Sequence, residues 1–537
     1  MNVKIRALLR KLTVLFSLAL VMVAGVCIAG RTEAHAAGVG GSCGGAVSWY
    51  LDEISGSLYI SGSGATYDFN LTYSANSSEE KSSAPWVRYS DQILYITVAK
   101  GVTGIGDYAF YGCKNATYAV IADTVTDIGT GAFNECTALN NITVNEANTT
   151  FSSIDGSLYN ADGTTLLQYA IGKQEESFTV PDGVTTIGNS AFKHALNLKS
   201  VTVSNTVTLI DRSAFVGCSN LTNVNFGYGV KTVSDYAFYG CLSLKRIELP
   251  YSVRTIGEHA FGLCYSLDDI TLQDGVRTIG AAAFDMTDYV RNADNWENGV
   301  LYIGNHIIDV DEKIKGVYTI KDGTRTIADD AFSYCEYLTG IVIPESMVSI
   351  GKVAFRHSYL LSSAVFKATD GWTNNGRGLS ATDMADDFTA AYFLTVTYCS
   401  NSFVREIQHE HVYTDTVVEP TCAVGGYTVS ICSVCDECTV SNETETGGHV
   451  ASDWIIDTMP EVGVEGSRHK ECTYCTLIME TETIPELTEE DVNGDQGADP
   501  EPAPGSSCFS GLGSYVSYFA TVFIPAAFVF LGKFFLI

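Results

Sequence analysis

The feature that most constrains this chain is a repeat. The stretch Val276–Phe284 reads VRTIGAAAF, and Val253–Phe261, one 23-residue step earlier, reads VRTIGEHAF. An Ala-Phe pair closes such a stretch at Phe110, Phe133, Phe192, Phe215, Phe238, Phe261, Phe284, Phe332 and Phe355. The step is 23 within each run; two longer gaps, 133 to 192 and 284 to 332, hold inserted sequence. A unit this short cannot bury its own apolar face. Stacked units can bury a continuous core, so the chain must fold as a solenoid rather than as a globule.

One unit shows how. In Ser243–Cys264, Leu244, Ile247 and Leu249 alternate with Lys245, Arg246 and Glu248, the pattern of a short strand with one face inward. Pro250 lacks an N–H for a ladder and ends the strand. Val253 and Ile256 begin a second inward stretch, Gly257 is expected to permit a sharp turn, and Ala260 and Phe261 plug the core. Each buried Phe contributes roughly 1.5–3 kcal/mol. Three residues after each Phe stands Cys113, Cys136, Cys218, Cys241, Cys264 or Cys335, with Ala195, Thr287 and Ser358 in the other coils. A column that accepts Cys, Ala, Ser or Thr asks for a small buried side chain, so these are read as structural thiols. The expected fold is mainly β with short turns and helices: a solenoid of 23-residue coils, capped at both ends, plus a small Cys/His-rich domain. A period between 20 and 29 residues is that of leucine-rich repeats.

The two ends carry different signals. Lys4, Arg6, Arg10 and Lys11 precede an apolar run from Leu12 to Ala29, and Ala34-His35-Ala36 fits a signal-peptidase site. Residues 1–36 are therefore read as a secretory signal. Residues 487–507 are acidic and Pro-containing, the composition of an extended spacer. Residues 508–537 hold an apolar run from Tyr515 to Leu531, short for a membrane span and interrupted by Pro525. This tail is read as an anchor, either a membrane segment or a processed sorting signal.

The pattern L..I.IP..V..IG..AF..C resembles the BspA-type leucine-rich repeat family, found on the surfaces of gut and oral bacteria and of some protozoan parasites. The resemblance extends from about Ser42 to Glu406. It takes in CGGAVSWYLDEISGSLYISGSG from Cys43, Ala84–Trp86, the inserts beginning at Phe151 and Asn298, and Thr369–Trp372 with the helix-like run that follows. It implies an N-terminal cap segment at 37–100, a solenoid at 101–362 with inserted hairpins at 148–182 and 293–320, and a C-terminal cap at 363–407. A cap is also a physical need, because a last coil would otherwise expose its core. The family implies adhesion to host or microbial macromolecules at the cell surface.

Residues 408–486 form a tandem His/Cys module. His411 and His449 head the two copies, and the pairs Cys432/Cys435 and Cys472/Cys475 close them. A Cys-x-x-Cys knuckle offers two thiolates to one ion, and tetrahedral zinc takes four such ligands. His411, Cys422, Cys432 and Cys435 make one candidate set; His449, His469, Cys472 and Cys475 make a weaker second. The competing reading is disulfides, favoured by an oxidising compartment, and Cys438 suits neither scheme cleanly. Either way the module stabilises a small stalk that lacks a core of its own.

No phosphate loop, nucleophile elbow or His-Glu-x-x-His motif is present, and the chain has only 9 His. It is read as non-enzymatic. The net charge of −31 argues against a nucleic-acid partner, which needs a basic face. Outward strand positions are the candidate contacts: Lys199, Ser200 and Thr202; Thr222, Asn223 and Asn225; Lys245, Arg246 and Glu248; Asp268, Asp269 and Thr271. With strands about 4.8 Å apart, these four rows are expected to tile one sheet. The expected function is a secreted, surface-retained solenoid that binds an extracellular protein or glycan, held at the membrane by its tail. The alternative is a passive spacer of the cell wall or surface layer.

Overall fold

The computed structural model describes residues 38–73, 80–406, 409–422, 424–472 and 478–487. The signal reading (1–36), all of the spacer but Leu487, and the apolar tail (508–537) lie outside the described residues. Among the described residues no helix is long and apolar enough to cross a membrane. Two compact units divide the chain: one runs to Ser452 and recovers Glu471–Ile478, and the other is built on Asp453–Lys470 and the strand residues from Met479.

The repeats form a β-solenoid. Each coil gives two strips of parallel strand. The Thr-Ile strip runs through Thr186–Ile187, Leu209–Ile210, Thr232–Val233, Thr255–Ile256 and Thr278–Ile279, each paired in register with the next. The Leu-rich strip carries Ser177–Thr179, Ser200–Thr202 and Asn223–Asn225, followed by Arg246–Glu248 and Asp269–Thr271. Those rows do not tile one sheet, as the sequence had suggested. They make a three-stranded and a two-stranded sheet, and the ladder is open between Asn223–Asn225 and Arg246–Glu248.

The Ala-Phe pairs are the spine of the core. Phe192, Phe215, Phe238, Phe261 and Phe284 stack ring on ring at 4.6, 4.8, 5.2 and 5.5 Å. Trp86 heads the first run on Phe110, and Tyr169 heads the second on Phe192. Buried side chains fall into two clusters that meet at the first insert, one ending at Leu158 and the next beginning at Tyr159. The inserts are antiparallel. Phe151–Ile154, Ser157–Asn160 and Thr165–Gln168 form one meander; Trp296–Glu297, Val300–Ile303 and His306–Val310 form the other.

The small-residue column does more than save space. Cys136, Cys218, Cys241 and Cys264 are buried and donate S–H to the carbonyls of Phe110, Phe192, Phe215 and Phe238 in the preceding coil. Ser358 does the same to Phe332 at 2.7 Å. Burial pushes the Cys113 and Cys218 thiols up to about 12, so they stay protonated.

Gly257 has a different role from the expected one. Each turn has two left-handed residues, neither of them at the Gly257 position: one lies two positions before the Phe, at Tyr108, Gly131, Ser190, Ser213, Tyr236, His259, Ala282, Asp330 and Val353, and the other two positions after it, as at Glu135, His194 and Leu263. Gly257 is needed for close approach: a Cβ there would sit 2.3 Å from the Asp235 nitrogen of the coil before. The same holds for Gly280 against Glu258 and Gly351 against Asp329.

The C-terminal end of the array is closed by imitation. In the coils, the first left-handed residue donates its N–H to the following coil, as Ser213 does to Asp235 and Tyr236 to Glu258. Val353 has no following coil and donates instead to Cys399 at 2.6 Å. The strand Phe403–Arg405 then lies antiparallel on Ser349–Ile350, and the helix Asp387–Tyr392 buries Ala390 and Ala391 over the core.

Candidate functional site

The Leu-rich strip alternates as its sequence suggests. Val201, Val224, Ile247 and Ile270 point inward, and their neighbours Ser200, Thr202, Asn223, Asn225, Arg246, Glu248, Asp269 and Thr271 are half-buried or exposed. Lys199, Lys245 and Asp268 are exposed in the turns just before the strands. Charges on this face satisfy one another: Arg246 lies 3.2 Å from both Glu248 and Asp269, and Lys199 lies 2.7 Å from Glu176. Such exposed pairs add little stability. They make the face polar and ordered.

Part of that face is covered by the chain itself. The first half of the His/Cys module is a three-stranded antiparallel sheet of Tyr413–Val418, Tyr427–Cys432 and Cys438–Ser441. It folds back on the solenoid rather than standing away from it as a stalk. Tyr427 packs on Tyr228 with ring centroids 4.9 Å apart. Between them a cleft of about 350 Å³ is lined by Asn223, Asn225, Arg246 and Glu248 on one wall and by Thr416 and Val418 on the other. It lies where the Leu-rich ladder opens.

The His/Cys residues gather in two clusters, and not in the sets that spacing suggests. His409, His411, Cys432 and Cys435 form the first; Cys422, His449 and Cys472 form the second. In each, the ligand atoms lie within 4.8 Å of one another, so each could hold a metal ion. The hairpin explains the exchange of Cys422 for His409. Tyr413 pairs with Cys432, whereas Val418 pairs with Tyr427. His409 and His411, just before Tyr413, therefore share an end with the Cys-x-x-Cys knuckle. Cys422, just beyond Val418, lies at the other end, about 17 Å along the strand. His469 belongs to the second unit, where its Nδ1 is 2.6 Å from Asp457. Cys475 lies outside the described residues.

The first cluster has metal-site geometry. His409 Nε2 is 3.2 Å from Cys432 Sγ, and His411 Nδ1 is 3.5 Å from Cys435 Sγ. Tetrahedral zinc with its usual bond lengths sets such N···S pairs about 3.6 Å apart. His411 turns its other nitrogen, Nε2, to Glu437 at 3.3 Å, the carboxylate support that metal-binding imidazoles commonly have. Burial by itself would raise the Cys432 thiol. The N–H groups of Cys435 and Val434 and the imidazoles of His409 and His411 outweigh it and hold the thiol at about 5. Cys432 is thus a thiolate at neutral pH, the form that binds metal. In the second cluster the Cys422 and Cys472 sulfurs are 3.4 Å apart.

Sequence reasoning missed His409, although the His-Glu-His run at 409–411 put it in view. It also missed an arginine ladder. Arg254 and Arg277 occupy the same position of successive coils, and Arg325 follows after the insert. The second insert lays His306–Ile307 beside Thr326–Ile327, yet Thr326 still bonds the Val276 carbonyl and Asp329 N–H the Ile279 carbonyl, which keeps the three arginines neighbours. All three reach the knuckle. Arg254 donates to the Asp436 carbonyl at 2.7 Å, and Arg277 donates to the Asp436 carboxylate at 2.9 Å. Arg325 pairs with that carboxylate too, and Arg277 with the Cys435 carbonyl. Cys438, the cysteine in neither cluster, touches the Tyr251 carbonyl and Arg254 at 3.6 Å each.

Comparison with known proteins agrees with the repeats. The BspA type Leucine rich repeat region matches in 6 copies, over residues 88–162, 185–315 and 313–371. No curated protein matches the chain. Among solved structures, a leucine-rich repeat protein from Eubacterium ventriosum is 22% identical, covers 56% of this chain and 95% of its own, and has a TM-score of 0.28. One from Bacteroides ovatus is 20% identical, covers 56% and 70%, and has a TM-score of 0.32. A leucine rich cell surface protein from Faecalibacterium prausnitzii is 17% identical, covers 63% and 97%, and has a TM-score of 0.24. Through its 23-residue coils, this chain belongs to the BspA-type leucine-rich repeat family.

Proposed function

We propose that this protein is a non-enzymatic surface scaffold whose Leu-rich strip binds an extracellular protein or glycan. The observation that carries this is the strip itself: a polar, repeated face in which Ser200, Asn223 and Asp269 fill one position per coil and Thr202, Asn225 and Thr271 a second. Lys199, Lys245, Arg246, Glu248 and Asp268 extend it. No cluster of large aromatic anchors lies among these positions, which suits binding spread over many weak contacts rather than one hot spot. The family and the sequence signals at both ends support secretion and retention at the cell surface, with residues 508–537 as the anchor. Both His/Cys clusters are read as structural zinc sites.

Binding of the purified chain to defined panels of mucins, matrix proteins and glycans tests this reading. The double variant Lys199→Glu/Thr202→Arg, on the uncovered part of the strip, should weaken any binding at least tenfold without moving the melting point. Unchanged binding would place the contact elsewhere. No binding across the panels would favour the passive spacer.

A further inference from the structure

The arginine ladder and the first His/Cys cluster meet at one short segment, and that meeting has a use. We propose that a zinc-class ion held by His409, His411, Cys432 and Cys435 is a latch: it shapes the Val434–Asp436 knuckle that Arg254, Arg277 and Arg325 grip, and so holds the module over the Leu-rich strip. This rests on the zinc reading of that cluster.

The knuckle has the shape of a key. Asp436 sits in the left-handed region with φ of 58°, a conformation that costs a non-glycine residue and needs its surroundings to hold it. Inside the knuckle, Asp436 N–H donates to the Cys432 carbonyl at 3.0 Å and Cys432 N–H donates to the Glu437 carbonyl at 2.8 Å. Both bonds tie the turn to Cys432, one of the two cysteines that face the cluster. An ion bonded to Cys432 and Cys435 would fix both ends of the turn at once. Without it, the turn is held by the arginines and by hydrogen bonds: these two, that of Ser433 N–H to the Val412 carbonyl at 3.1 Å, and those of the Val434 and Cys435 N–H groups to the Cys432 sulfur.

The lock is as particular. Two guanidiniums, those of Arg277 and Arg325, converge on the Asp436 carboxylate, and that of Arg254 reaches the Asp436 carbonyl; the Asp436 side chain is only 11% exposed, and those of Arg277 and Arg325 are 23% and 14% exposed. Without the knuckle, these like charges would stand together with buried polar atoms: Arg277 Nη1 and Arg325 Nε have no partner even in the docked state. The Asp436 carboxylate and the Cys435 and Asp436 carbonyls are what the arginines need. The column is basic in four coils in succession, at Lys231, Arg254, Arg277 and Arg325, in a chain with 31 basic residues against 62 acidic ones. Earlier coils place Thr103, Thr126, Thr185 and Thr208 there. The basic residues thus occur where the module docks.

The consequence is control of access. The docked module forms one wall of the cleft whose other wall includes Asn223, Asn225, Arg246 and Glu248. With the ion bound, those positions are screened. With the ion removed, the knuckle loosens, the arginines lose their carboxylate, and the middle of the strip opens.

Hydrogen exchange on the full chain, with zinc content measured in parallel, tests the latch without any ligand for the strip. Zinc-loaded protein should protect residues 223–228 and 246–254. A strong zinc chelator should raise exchange there at least tenfold, and added zinc should restore protection. The triple variant Arg254→Ala/Arg277→Ala/Arg325→Ala should show the same opening while retaining its zinc. If that variant fails to fold, the chelator arm decides alone. Protection that survives chelation would overturn the latch even if zinc is bound. Protein that never takes up zinc would overturn the metal reading, and the latch with it. Neither outcome depends on whether the strip binds a partner.

Discussion

Cys218 and Cys432 are both fully buried, yet they are opposite kinds of cysteine. Cys218 lies between coils, gives its S–H to the Phe192 carbonyl, and has its thiol pushed up to about 12 by burial. Cys432 lies among two imidazoles and two amide N–H groups and is held at about 5. Burial alone cannot say what a cysteine is for. At Cys218 burial prevails and keeps the thiol; at Cys432 the donors facing the sulfur outweigh burial and favour the thiolate. The same contrast separates the regions: the solenoid is held by stacked apolar side chains, and the module, with few buried residues, by the atoms around its clusters.

The largest effect should come from the module. Cys432→Ser should abolish zinc uptake by the first cluster and unravel Tyr413–Ser441, since structural zinc sites supply roughly 10–16 kcal/mol of apparent binding free energy. Amide exchange read segment by segment should show unfolding confined there, with only the strip residues it screens, 223–228 and 246–254, opening beside it. If the repeats melt with it, the two regions are one cooperative body and the contrast fails.

Next is the solenoid's spine. Phe238 is sandwiched between Phe215 and Phe261, so Phe238→Ala should cost about 3–5 kcal/mol by leaving a cavity between coils. The loss should spread to neighbouring coils, because each coil is stabilised by the next. An unmoved melting curve would contradict the stacked core.

A third effect is set by pH. His306 is buried on a strand of the second insert. It donates from Nε2 to the Gln273 carbonyl at 3.1 Å, and its Nδ1 has no partner. Burial, aided by the nearby Arg325 and Arg277 and opposed by Gln273 and Asp274, lowers its pKa to about 4 from 6.5. Above pH 6.5 the ring is neutral folded and unfolded, and its contribution is complete. Between pH 6.5 and 4 the unfolded chain takes a proton that the folded chain refuses, so stability falls as pH falls, by up to roughly 3 kcal/mol. His306→Gln keeps a donor and removes the titration, so its stability should be flatter over that window in denaturant melts. Parallel curves for the two proteins would refute the assignment.

The smallest effect is the other half of the cysteine comparison. Cys218→Ser should change stability by no more than about 1.5 kcal/mol, because a hydroxyl at this column still reaches the preceding Phe carbonyl, as Ser358 shows. A collapse on this substitution would mean that the sulfur does more than fill space and donate one weak bond.

These contrasts also mark what the sequence could reveal. The coils, the inward Phe column and the small-residue column were legible because a fixed period repeats one message nine times. The polar alternation around Val201, Val224, Ile247 and Ile270 was legible for the same reason. Gly257 was misread because a turn and a close approach both call for glycine, and only the neighbouring coil at Asp235 tells them apart. The first metal set took in Cys422 rather than His409 because spacing along a chain does not say which end of a hairpin a residue reaches. Cys422 is nearer than His409 to Cys432 in sequence and farther from it along the strand. The arginine ladder stayed hidden because its partner, Asp436, is 182 residues from Arg254.

Val353 and Cys399 leave one more consequence. Within a run a coil is not finished by itself; its turn is completed by the carbonyl that the following coil presents. Such a stack has no intrinsic length. It would go on accepting coils, its own or those of another molecule, as a growing crystal face accepts layers. The segment from Trp372 to Arg405 supplies the Cys399 carbonyl, then turns its strand antiparallel, so that the edge it leaves no longer matches an incoming coil. The cap is a terminator of polymerisation. A chain that lost it would carry, on every copy, a surface made to receive another copy.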